Sequence, residues 1–202
     1  MNLKISSVFQ AAKKFLLLIL AGSVFAFSQK SEQEADVYYV YSDKWEHGIP
    51  TGFMGEKDGI SLKLDDAWKE NPYKGEKCIR FTVDNSEAWR GIHIQYTGAW
   101  NVAVEESTKL ADLTGYDKLE FYARAEGKDG GLFLIEEIGV GGGGGFEDKR
   151  TDSFIEIGSE WKRYTINLKG MDLKRLNTML FMTLPQGILY MDEIRFIKKK
   201  KK

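Results

Sequence analysis

The sequence predicts an all-β fold, an antiparallel β-sandwich of jelly-roll type, on three observations. Short apolar runs alternate with polar residues at period two along most of the chain, the pattern of strands with one buried face. Aromatic residues are frequent (5 Trp, 9 Tyr and 12 Phe), and 21 Gly against 3 Pro supply turns rather than helix punctuation. Long amphipathic stretches able to act as crossover helices are missing, which disfavours a parallel sheet. The 202 residues, 43% hydrophobic and 29% charged, suit a single core and exclude a disordered polymer or a multi-span membrane protein.

From the N-terminus, residues 1–28 carry Lys4, Lys13 and Lys14 but no acid, and an apolar run fills 15–27. This is the pattern of a signal peptide, with Ala26 and Ser28 as small residues for cleavage and a run too short for a comfortable membrane span of about 20 residues. The chain is therefore expected to be exported, periplasmic or secreted. Removal of 1–28 leaves 26 basic against 30 acidic residues, a net charge of −4. Residues 29–35 are polar and read as a linker. The sandwich domain is expected over 36–197, followed by five lysines at 198–202. That basic tail is either a solvated end or an electrostatic contact for an acidic partner or membrane surface. Nucleic acid is not expected as a partner of an exported acidic body.

Within the domain, ten runs read as strands: 37–41, 59–64, 78–83, 91–96, 118–125, 132–138, 153–157, 162–168, 178–184 and 188–197. Alternation is clearest where Leu119, Phe121 and Ala123 oppose Glu120, Tyr122 and Arg124, and where Tyr164, Ile166 and Leu168 oppose Thr165 and Asn167. The glycines of 139–145 formally contain GxGxxG, but no crossover helix follows, so a loop tip is expected there rather than a dinucleotide site.

Spaced motifs add a resemblance. They are Pro50-Thr51-Gly52-Phe53-Met54-Gly55, Asn71-Pro72 with Gly75 and Cys78-Ile79-Arg80, Trp89-Arg90-Gly91-Ile92, and Leu113-Thr114-Gly115-Tyr116. Leu119-Glu120-Phe121-Tyr122-Ala123-Arg124, Asp152-Ser153, Trp161-Lys162-Arg163-Tyr164-Thr165-Ile166 and Tyr190-Met191-Asp192-Glu193-Ile194 follow. In this order they resemble exported bacterial jelly-roll modules of the galactose-binding-domain-like superfamily, similar to carbohydrate-binding modules. The resemblance covers about residues 41–196 and implies a non-catalytic β-sandwich that often binds glycans and often carries a structural calcium ion. Where many such modules place aromatics after Trp-x-Gly-Ile, this chain has His93 and Ile94.

The residues offer little for catalysis. Cys78 is the lone cysteine, and no Ser-His-acid context surrounds His47 or His93. The carboxylate pairs Glu105-Glu106, Glu136-Glu137 and Asp192-Glu193 are sequence neighbours, and strand neighbours point to opposite faces, so none is expected to flank a glycosidic bond. Asp192 falls in line with Ile188, Tyr190, Ile194 and Phe196 and is expected on an apolar face. A carboxylate there needs backbone N–H groups, a basic side chain, or a hard cation with other oxygen ligands. The resemblance favours calcium, with Asp43, Glu56 or Asp58 as co-ligands. Sugar rings present apolar C–H faces to aromatic rings. Trp45, Trp68, Tyr73 and Trp100 lie in loop-like contexts, with Asn71, Gln95 and Asn101 as polar neighbours, whereas Trp89 and Trp161 begin strands and are expected in the core. Together these features describe an exported, non-catalytic binding module for a glycan or cell-envelope ligand. The alternative is a structural subunit of a periplasmic or surface assembly, such as a periplasmic flagellar filament sheath.

Overall fold

Period-two alternation builds two antiparallel sheets that face one core. The computed structural model describes residues 36–54, 62–84, 91–96, 110–141, 148–150 and 154–198. In chain order the strands are β1 (Asp36–Tyr41), β2 (Ile49–Met54), β3 (Leu62–Trp68), β4 (Cys78–Val83), β5 (Gly91–Gln95), β6 (Lys118–Gly127) and β7 (Phe133–Ile135). They continue as β8 (Ile138–Gly141), β9 (Asp148–Arg150), β10 (Ile155–Ile157), β11 (Lys162–Asn167), β12 (Thr178–Thr183) and β13 (Gly187–Lys198). The first sheet has the order β11-β6-β13-β4-β3, with β1 also paired to β13. The second has the order β2-β5-β12-β8-β9, and β7 and β10 form a small two-stranded sheet.

The inner face of the first sheet is built by Ile79 and Phe81 of β4, Leu119, Phe121 and Ala123 of β6, and Leu189 and Met191 of β13, all fully buried. Ile92, Ile94, Ile138, Val140, Leu180 and Met182 of the second sheet join the same cluster. Each such side chain stabilises the fold by about 1.5–3 kcal/mol relative to exposure. Glu120, Tyr122, Arg124 and Glu126 are thereby turned outward, as the alternation predicts.

Strand β13 organises the first sheet. Its first half lies between β4 and β6, and its second half lies between β1 and β6. The change of neighbour coincides with a β-bulge, where the register to β6 shifts between Asp192 and Arg195. Glu193 takes φ +49 there, a left-handed conformation rare for a non-glycine residue. The extra residue corrects the expected alternation: Tyr190 and Asp192 point outward, and beyond the bulge Ile194 and Phe196 turn into the core.

Three further expectations change. The run 132–138 splits into β7 and β8, because Ile135 and Ile138 are both buried across an odd spacing, with Glu136 and Glu137 looped between them. Gly139, Val140 and Gly141 are not a loop tip but β8, held between β12 and β9 by backbone pairing that needs no side chain. Strand β2 contains Pro50 and lies at the edge of its sheet, where a missing N–H is tolerated.

Candidate functional site

The connection between β3 and β4, residues 69–77, folds over the outward face of the first sheet. Asn71 at φ +54 and Gly75 at φ +68 make its turns. Only glycine suits position 75, where a Cβ would collide with the Asp43 carboxylate. Asp43 Oδ1 accepts the N–H groups of Glu76 (2.7 Å) and Lys77 (2.8 Å), which hold its carboxyl below the usual range, Glu76 most strongly. Lys74 is fixed twice: its N–H donates to Asp192 Oδ2 at 3.0 Å and its Nζ to Glu193 Oε2 at 3.2 Å. Trp161 Nε1 donates to the Asn71 carbonyl at 2.9 Å and closes the far end.

Beneath this loop lies a second buried layer. Asp192, Cys78 and Tyr41 are fully buried there. Burial pushes the Cys78 thiol up to about 12 and raises the Tyr41 hydroxyl as well. Burial also pushes Asp192 up to about 6, against the opposing pull of the Lys74 and Glu193 amides. Glu193 donates its N–H to Asp192 Oδ1 at 2.7 Å. Its own carboxylate accepts from Lys74, from Arg195 Nη1 (3.2 Å) and from the Tyr39 hydroxyl (3.4 Å). The bulge thus brings Asp192 and Glu193 to one side of the sheet, correcting the expectation of opposite faces.

This arrangement answers the choice left open for Asp192 in favour of backbone N–H groups. Both of its oxygens, and Oδ1 of Asp43, accept amides, whose positive ends occupy the directions a cation would take. Asp192 and Asp43 do not fit a calcium ion, and no group of three His, Cys, Asp or Glu converges among the described residues. Glu56 and Asp58 lie outside the described residues.

Over the same face runs a row of alternating rings and guanidinium groups. The Arg80 guanidinium lies 4.4 Å from the Trp68 ring, and Trp68 is 6.4 Å from Tyr190. Arg124 lies 3.6 Å over Tyr190 and 5.5 Å from Trp161. Register explains the row, since Tyr190 pairs with Arg80 on one side and Arg124 on the other. Tyr73 of the loop stacks on Tyr122 (3.6 Å, 13°) and sits 6.1 Å from Trp161. At the edge of this row a surface groove of about 580 Å³ is lined by Trp161 and Tyr164 with Glu156, Ser159, Glu160 and Lys162. A second recess of about 540 Å³ shares Glu156 and Ser159 and extends to Glu126 and Leu132. Ring faces bordered by carboxylate, hydroxyl and ammonium groups can take a ligand with apolar C–H faces and many hydroxyls.

Of the residues expected to bind ligand, the structure gathers Trp68 and Tyr73 around this face. Trp45 serves as a brace: its Nε1 donates to Asp66 Oδ2 at 2.6 Å and its ring meets Tyr41 edge-on at 5.0 Å. Gln95 is buried on the second sheet. Trp100 and Asn101 lie outside the described residues, as do Trp89, Glu105 and Glu106. Trp161 is no core residue. It follows the 158–160 turn, half-exposed on the rim of the groove. Tyr122, Arg124, Arg80 and Tyr190 were visible in the sequence only as the polar half of alternating strands.

No known family profile matches the chain, and no curated protein matches it. Solved structures do. The chain is similar to a family 30 carbohydrate-binding module of a cellulosomal cellulase of Clostridium thermocellum (TM-score 0.54, 19% identity, covering 82% of this chain and 99% of that one). A second family 30 carbohydrate-binding module gives a TM-score of 0.53 at 18% identity over 84% of this chain and 91% of that one. A family 11 carbohydrate-binding module of a cellulosomal cellulase of Clostridium thermocellum gives 0.54 at 12% identity over 84% and 98%. At these identities the likeness shows the fold, the jelly-roll β-sandwich that the motifs predict.

Proposed function

We propose that the chain is an exported, non-catalytic module that binds a glycan across the outward face of its first sheet. The observation that carries this reading is the groove walled by Trp161 and Tyr164, with Glu156, Ser159, Glu160 and Lys162 around it and the Tyr73–Tyr122 stack beside it. Rings supply apolar platforms for sugar C–H faces, and the polar rim supplies acceptors and donors for hydroxyls. The carbohydrate-binding modules that share the fold support the ligand class. The basic, acid-free start of the chain with its short apolar run supports export. A glycan-array screen of residues 29–202, followed by calorimetry with the glycan it identifies, tests the reading. Trp161→Ala is expected to weaken binding at least tenfold, and a protein that takes up no glycan overturns it.

A second reading, a structural subunit of a larger assembly, is favoured by one observation. Leu132, Leu134 and Phe154 are exposed at 68%, 37% and 62%. Leu134 pairs with Glu156 in the small sheet, and Leu132 and Phe154 each stand two residues from that pair, which places all three on one face by alternation. Exposed apolar stripes of this kind mark contacts with other proteins. Concentration-dependent sedimentation of residues 29–202, with and without Leu132→Ser and Phe154→Ser, separates this reading from the first.

A further inference from the structure

We propose that the glycan carries anionic groups, and that Arg80 is the residue that receives them. This deepens the glycan-binding reading and rests on it. Three arginines project from the outward face of the first sheet near β13, and two have carboxylate partners. Arg124 Nη1 meets Glu126 at 3.2 Å, and Arg195 meets Glu193 at 3.2 Å and Glu120 at 3.7 Å. Arg80 has no ion pair among the described residues, although Asp65 stands directly opposite it in the β3–β4 register.

Arg80 is nonetheless held in place. It is half-buried, its guanidinium rests on the Trp68 ring, and its Nε is buried with no acceptor. Trp68 Nε1 beside it is a second buried donor with no acceptor. A guanidinium partly withdrawn from water usually brings a counter-charge with it. A chain with 30 acidic residues places none on this one. The plane of Arg80 is set by stacking and its charge is left for something else, the arrangement that suits recognition of a carboxylate or sulfate by a preorganised fork.

Arg80 is also reachable from the groove. From β11, which bears the Trp161 groove, to β4, which bears Arg80, the sheet order is β11-β6-β13-β4. Three spacings between neighbouring strands amount to about 14 Å. A linear glycan seated on Trp161 and lying across the strands passes Arg124 and Tyr190 and brings a substituent to Arg80. A uronate carboxylate and a sulfate ester share the oxyanion chemistry that Arg80 recognises.

Affinity electrophoresis of residues 29–202 in gels containing polygalacturonate, dextran sulfate, or neutral hydroxyethylcellulose tests the proposal. The comparison uses wild type, Arg80→Gln, Arg80→Lys, and Lys174→Gln as a charge-loss control at an exposed site away from this face. Retention by one anionic polymer is expected, polygalacturonate indicating the carboxylate and dextran sulfate the sulfate. Arg80→Gln should lose at least tenfold in affinity, Arg80→Lys severalfold because it keeps the charge but not the planar fork, and Lys174→Gln little. Melting curves accompany each variant, and if Arg80→Gln unfolds, Arg80→Lys against Lys174→Gln decides. Equal losses in the Arg80 variants and Lys174→Gln mean general charge attraction and overturn the proposal. Retention by hydroxyethylcellulose alone, unchanged in the Arg80 variants, also overturns it while leaving the glycan-binding reading standing. No retention in any gel, together with an empty glycan array, removes both.

Discussion

The ring of Tyr73 lies flat on that of Tyr122, centroids 3.6 Å apart at 13°, so a loop residue extends an aromatic surface that begins in strand β6. Tyr73 is 41% exposed, and an aromatic pair contributes about 0.5–1.5 kcal/mol beyond its buried area. Tyr73→Ala is therefore expected to cost no more than about 2 kcal/mol of stability in denaturant unfolding. Phe121→Ala, on the opposite side of the same strand and fully buried, is expected to cost about 3–5 kcal/mol. In calorimetry with the array-identified glycan, Tyr73→Ala should lose affinity severalfold. Unchanged affinity would remove Tyr73 from the binding surface.

Asp192 sets a pH dependence whose sign is opposite to that of an ordinary salt-bridged carboxylate. Its carboxyl is pushed up to about 6 from 3.8, first by burial and further by the Glu193 charge, while the amides of Lys74, Glu193 and Tyr73 pull the other way. A raised folded value means that the native state binds the proton more tightly than the unfolded chain. This contribution is thus fully present below about 3.8 and is lost as pH rises through about 6. A difference of this size corresponds to about 3 kcal/mol. Asp43 and Asp112, held low by hydrogen bonds, act in the opposite direction, so the comparison must be with Asp192→Asn. The stability of wild type minus that of Asp192→Asn, from urea unfolding, is expected to rise as pH falls from 7.5 to 5. A flat difference would show that Asp192 does not titrate in this range.

What the sequence revealed follows from how local each signal is. The β6 and β11 faces could be read directly, because Leu119, Phe121 and Ile166 repeat at period two and end in the core as expected. Asp192 could not be placed, because one residue in a left-handed conformation reverses which side chains face inward, and nothing about a glutamate at 193 announces φ +49. The same bulge joined Asp192 and Glu193 on one side and gave Lys74 two partners 118 and 119 residues away. Trp161 was assigned to the core because it begins a strand, but its neighbours are Asn71, Tyr73 and Arg124, a set fixed by sheet order and loop path. Strands β8 and β9 escaped notice because glycine-rich backbone paired to a neighbour leaves no hydrophobic period.

The layer beneath the 69–77 loop gives a chemical readout. Cys78 is fully buried and its thiol is pushed up to about 12 by burial, with the Asp192 charge adding to the effect. Thiolate is the reactive form, so native protein at pH 8 is expected to resist a thiol reagent such as DTNB, and unfolded protein to react fully. Gly75→Ala should change this. The substitution strains a φ of +68 and drives a methyl group into the Asp43 carboxylate that holds Glu76 and Lys77. A cost of about 1–3 kcal/mol is expected, together with faster Cys78 labelling as the loop lifts. Labelling at the wild-type rate in Gly75→Ala would mean that the loop does not guard Cys78.

The last expectation concerns calcium. A cation bound only by the folded chain raises the melting temperature by mass action, by an amount that grows with ion concentration over its dissociation constant. Asp192 Oδ1 and Oδ2 already accept the amides of Glu193 and Lys74, and Lys74 Nζ stands at the neighbouring Glu193 carboxylate. An incoming ion would have to displace two N–H donors into a buried layer where each unmet donor costs about 1–3 kcal/mol. Any calcium-dependent shift in melting temperature, measured against chelator, is accordingly expected to be the same in wild type and Asp192→Asn. Glu56→Gln and Asp58→Asn, melted in parallel, show whether carboxylates elsewhere produce such a shift. A stabilisation by calcium that disappears only in Asp192→Asn would mean that the loop opens to exchange its amides for the ion. The hydrogen bonds from Lys74 and Glu193 would then describe the calcium-free state of a site that the ion rearranges.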